Sequence, residues 1–131
     1  MKKLFLVLVC GAAMWAMPTP NAEAIPLFYQ KFEAKYAGAD AKKEFADLVK
    51  ETKCNVCHIK GEKKEVRNAY GEALHKAGLE KDNYKKERVE AEGDAVDKEV
   101  MQALEKAAAE KSAGGQTYGD LLKAGKLPGE K

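Results

Sequence analysis

Metal-binding side chains are scarce in this chain, whose 131 residues hold two histidines and three cysteines. With so few imidazoles, no cluster of histidine, tyrosine and acid marks a catalytic pocket, so an enzyme is not expected. Alternating polar and apolar runs long enough for strands are also missing, which argues against a sheet-based fold. The formal net charge is only +2, and that balance gives no support for nucleic-acid binding. The longest apolar run, Leu4 to Met17, is shorter than the ~20 residues a spanning helix requires, and Pro18 breaks it.

What that run does resemble is a secretory leader. Lys2 and Lys3 precede it, and Ala22-Glu23-Ala24 supplies a small-x-small cleavage pattern before Ile25. Residues 1–24 are therefore expected to be a cleaved signal peptide, and residues 25–131 one domain. Export would place that domain in the periplasm or an equivalent compartment, with no stable membrane insertion after cleavage. Cys10 follows Val9, where a lipoprotein signal wants a small residue, so lipidation is not expected. Loss of Cys10 leaves only Cys54 and Cys57, too few for a disulfide framework.

Those two cysteines sit in Cys54-Asn55-Val56-Cys57-His58, a Cys-x-x-Cys-His pattern that reads as c-type haem attachment. The spacing lets two thiols form thioethers with the haem vinyl groups while the adjacent imidazole, His58, becomes the proximal iron ligand. Two other chemistries use a Cys-x-x-Cys pair. A thioredoxin-like redox site follows a strand in a βαβ unit, which this chain does not offer. Zinc would need four ligands, drawn here from Cys54, Cys57, His58 and His75, and consecutive ligands are awkward around a tetrahedral ion. One covalent haem c is the expected cofactor.

Helical periodicity fills the rest of the chain. Phe28, Phe32 and Tyr36 share one face; they form either core or a subunit contact, which leaves a homo- or heterodimer open. Asp40 can cap a second helix carrying Phe45, Leu48 and Val49, which leads into the haem signature. Val66, Ala69, Tyr70, Ala73, Leu74 and Ala77 define a third helix, with Gly78 as its stop. The charged stretch 79–92 reads as a short helix or an ordered connection. Asp94 opens another helix whose buried face is Val96, Val100, Ala103, Leu104 and Ala107, ended by Gly114-Gly115. Thr117 caps a last short helix through Leu121 and Leu122. The expected fold is all-α, a small cytochrome c-like domain of four to five short helices around one haem.

Beyond the attachment signature, the chain resembles the small monohaem cytochromes c of planctomycete and anammox bacteria. The resemblance lies in Arg67-Asn68-Ala69-Tyr70-Gly71, in Thr117-Tyr118-Gly119 and in Lys126-Leu127-Pro128. It implies one-electron transfer in the periplasm or the anammoxosome, or NO/CO binding or sensing at a displaceable or absent sixth ligand. Some proteins of this kind use a cysteine as second axial ligand, a role that no third cysteine is left to fill here. By the same resemblance, Arg67 and Asn68 are expected to support the proximal side.

The sixth iron ligand then falls to Met101, to His75, or to neither. On a helix of 100° per residue counted from Val66, His75 lies about 180° round, against an apolar stripe centred at about 20°. Counted from Val96, Met101 lies at about 140° on a stripe centred at about 60°, on the flank of the buried face. Met101 is the favoured candidate and His75 the alternative. Lys50, Lys53, Lys60, Lys63, Lys64 and Arg67 outnumber the acids Glu51, Glu62 and Glu65 around the signature. Such a basic rim suits redox partner proteins with acidic surfaces.

Overall fold

The computed structural model describes residues 25–129, so the proposed leader lies outside the described residues. The all-α expectation is met, with six α-helices among the described residues where four to five were expected: α1 Ile25–Tyr36, α2 Lys43–Thr52, α3 Ala69–Lys76, α4 Lys86–Ala91, α5 Gly93–Ala109 and α6 Tyr118–Lys123. The additional helix is α4, a short element carved out of the charged 79–92 stretch.

The longest helix, α5, is the axis of the packing and touches α1, α3, α4 and α6. Its stripe of Val96, Val100, Ala103, Leu104 and Ala107 is buried along its length, with Val96, Val100 and Ala107 having no exposed surface. Each buried valine or leucine contributes about 1.5–3 kcal/mol, so this stripe is a main source of cohesion.

Helix α1 lies across α5 with Phe32 buried. Phe28 meets Tyr84 edge-on at 5.0 Å and the Tyr36 hydroxyl donates to the Leu104 carbonyl at 3.3 Å. The Phe28, Phe32 and Tyr36 face is thus packed within the chain. Ion pairs from Lys31 to Asp97 and from Lys35 to Glu105 bridge the two helices at the surface, where exposed pairs contribute little.

Three helix starts differ from expectation. Helix α2 begins at Lys43 with Lys42 as its cap, and no side chain caps it, so Asp40 does not serve. The third helix starts at Ala69 rather than Val66: Asn68 accepts a hydrogen bond from the Gly71 N–H and fixes the first turn there. Val66 is 37% exposed, in the connection ahead of the helix. Helix α5 likewise begins at Gly93 without a side-chain cap, with Asp94 in its first turn, and ends at Ala109, ahead of Gly114-Gly115.

The other punctuation follows the sequence. Gly78 takes φ +111° where α3 ends, and Leu79 N–H reaches back to the Leu74 carbonyl at 3.1 Å, a closure that favours glycine. Thr117 accepts from the Asp120 N–H at 3.1 Å and starts α6.

Candidate functional site

Helix α2 delivers the chain to the signature. At its end Lys53 takes φ +49°, the one positive φ outside glycine among the described residues, a conformation that side chains adopt at a cost. It turns the backbone into a 3-10 helix, Lys53–Val56. The N–H groups of Cys57 and His58 both fold back on the Cys54 carbonyl, at 3.2 and 3.0 Å. One tight turn therefore gathers both thiols and the imidazole.

All three side chains line one cavity of about 300 Å³. Its apolar wall comes from Phe28 and Phe32 of α1, Val56 of the 3-10 turn, and Leu74 and Leu79 at the end of α3. Four cations, Lys53, Lys64, Arg67 and Lys81, line it against two acids, Glu65 and Asp82.

The imidazole is held from behind. His58 Nδ1 lies 3.4 Å from the Val66 carbonyl, which can only accept, so Nδ1 carries the proton and Nε2 keeps a lone pair for a metal. A hydrogen bond of this kind orients a metal-ligating histidine and raises its basicity. Some such support is expected from chemistry alone, but Val66 as its source emerges only from the fold, in which His58 and Arg67 form an antiparallel bridge.

Asn68 ties the turn to α3. Its N–H donates to the Cys57 carbonyl at 2.9 Å and its Nδ2 to the Val56 carbonyl at 2.9 Å, while its Oδ1 caps the helix at 2.8 Å. Gly71 then lets α3 approach the signature: a Cβ built there would lie 2.1 Å from the Cys57 carbonyl oxygen. On the outer side Gly129 covers Asn68 so closely that its own Cβ would lie 2.1 Å from Nδ2. Neither glycine stands out in the sequence as a site residue, because each is required by a contact between distant segments.

The distal candidates lie elsewhere. His75 is in the last turn of α3 with Nε2 3.2 Å from Glu80, and Met101 is half-buried on α5 against the core. Neither lines the cavity that holds Cys54, Cys57 and His58. Tyr70 is fully buried between Phe32 and Tyr118, with ring centroids at 5.9 and 5.3 Å. Its hydroxyl has no hydrogen-bond partner among the described residues, and burial, with Cys57 and Tyr36 adding, holds it neutral far above the usual phenol range.

The two thiols differ in reactivity. Cys54 is exposed, whereas burial and then the neighbouring Cys54 push the Cys57 thiol up to about 12. The nucleophile is the thiolate. In the haem-free protein at pH 8, iodoacetamide is therefore expected to alkylate Cys54 at least ~10-fold faster than Cys57, as read by peptide mass spectrometry. Equal rates would contradict the enclosure of Cys57.

The donor set fits haem c. Two unpaired thiols and an imidazole with its Nε2 available share one apolar cavity, and the cationic lining complements the two carboxylates a haem carries. Comparison with known proteins adds no independent identification: no family model, no curated protein and no solved structure matches this chain.

Proposed function

We propose that this chain is an exported monohaem c-type cytochrome that carries single electrons between partner proteins. The observation that carries the reading is the convergence of Cys54, Cys57 and His58 on one apolar cavity, with His58 Nδ1 committed to the Val66 carbonyl. Haem c, when bound, supplies a one-electron iron couple. Cys54 and Cys57 hold it covalently, His58 offers Nε2 to the iron, and the Phe28, Phe32 and Leu74 wall excludes water. Around the site Lys53, Lys64, Arg67 and Lys81 give a basic rim that steers an acidic redox partner, raising the encounter rate more than the affinity.

A reductive titration of the haem-loaded protein tests the carrier role. A reversible one-electron transition with full retention of haem is expected, and irreversible bleaching or haem loss on cycling would contradict it.

One observation favours a second reading, NO or CO binding. Met101 and His75 both lie off the cavity lining, so among the described residues that cavity offers no thioether and no imidazole besides His58. Met101→Ala and His75→Ala are accordingly expected to leave the ferric and ferrous absorption spectra unchanged. Loss of a methionine-to-iron charge-transfer band in Met101→Ala would restore that residue as ligand. A ferrous spectrum that shifts on exposure to CO supports the gas-binding reading, and an unchanged one removes it.

A further inference from the structure

We infer that Arg67 is a positioning residue that raises the reduction potential of the site, with Glu72 moderating its effect; this rests on the haem reading of Cys54–His58. His58 and Arg67 are direct partners in an antiparallel bridge, and residues so paired project their side chains to the same face with Cβ atoms about 5 Å apart. Both side chains line the cavity that holds the two thiols. Arg67 thus shares both a bridge and a cavity with the imidazole offered to the metal, and its guanidinium cannot lose its charge.

Its electrostatic partner is weak. Arg67 Nη1 reaches Glu72 Oε1 at 3.5 Å, at the long end for an ion pair, and the two side chains are 30% and 48% exposed. Glu72 offsets part of the guanidinium field, but Arg67 lines the cavity where Glu72 does not, so the positive charge is the nearer of the two to it. A fixed cation there disfavours the ferric state, which carries one more positive charge than the ferrous, and so favours reduction. Among the cations of the lining, Arg67 is set apart by its backbone pairing with His58.

The test is the reduction potential of haem-loaded wild type, Arg67→Gln, Arg67→Lys and Glu72→Gln at low ionic strength. Haem content and the absorption spectrum of each are read first. Arg67→Gln is expected to shift the one-electron equilibrium toward the ferric form by about threefold to tenfold, tenfold being 59 mV. Arg67→Lys retains most of the wild-type value because it keeps the charge. Glu72→Gln shifts the equilibrium the other way, since it removes the counter-charge. The inference is overturned by an unchanged potential in Arg67→Gln, or by an Arg67→Lys value as low as that of Arg67→Gln, which marks a packing role. Absence of covalent haem in the wild type instead overturns the reading beneath it, before any potential is measured.

Discussion

Gly71→Ala is expected to destabilise the protein by about 3 kcal/mol, at the upper end of what overpacking costs. The added methyl would lie 2.1 Å from the Cys57 carbonyl oxygen and 3.0 Å from the Arg67 Cβ. Neither neighbour can yield cheaply. The Cys57 carbonyl accepts from the Asn68 N–H at 2.9 Å, and Arg67 is bridged to His58. Moving α3 away would disturb Tyr70, Ala73 and Leu74, all buried. The strain thus falls on the backbone that holds both a thiol and the imidazole, so covalent haem yield should fall together with stability. A midpoint loss of roughly 10 °C or more in thermal unfolding follows, at about 4–8 °C per kcal/mol for a domain of this size. Gly114→Ala is the control, because its Cβ would meet only Ser112 Oγ, at 3.8 Å. Similar midpoints for the two variants would contradict the close approach of α3 to the signature.

Asn68 is the second sensitive position, and two substitutions separate its roles. Asn68→Ala removes the cap on Gly71 N–H and the bond to the Val56 carbonyl. It should cost about 2–4 kcal/mol in urea unfolding, combining a lost cap with an acceptor left unpaired. Asn68→Asp keeps the capping oxygen and adds a negative charge where a helix N-terminus welcomes one. If Asn68 were only a cap, the aspartate would be neutral or stabilising. It is nevertheless expected to cost about 1–3 kcal/mol, because it loses both Nδ2 donors and sets a carboxylate against the Val56 carbonyl. Wild-type stability in Asn68→Asp would show that the link to the 3-10 turn carries no energy.

The α5 stripe, the Thr117 cap and the Gly78 stop could be read from sequence because each depends on residues within a turn or two of one another. The start of α3 could not. Val66 fits the apolar period of that helix, yet Asn68 captures the Gly71 N–H and begins the helix at Ala69, leaving Val66 in the connection, where its carbonyl faces His58 Nδ1. The placement of His75 opposite the apolar stripe does not depend on Val66, and its side chain is indeed on the outer face, 32% exposed against Glu80. Asp40 failed as a cap for a related reason: Gly38–Ala41 closes as a turn of its own, with Ala41 N–H on the Gly38 carbonyl at 3.0 Å, and α2 starts after it.

At the site, the Cys-x-x-Cys-His spacing and the tight turn that gathers it are local, whereas the Val66 carbonyl, Gly71 and Gly129 act across loops whose path the sequence does not encode in any short pattern. The distal side was the least legible part. The flank position of Met101 on its helix says nothing about which elements enclose the cavity, and those turn out to be α1, the 3-10 turn and the end of α3.

The most direct test of the central claim is the intact mass of the chain produced in a host that attaches haem outside the cytoplasm. A mass increase of one haem that survives denaturation and disappears in Cys54→Ser/Cys57→Ser is expected. A wild-type chain that leaves such a host, folded, with both thiols still free would contradict it.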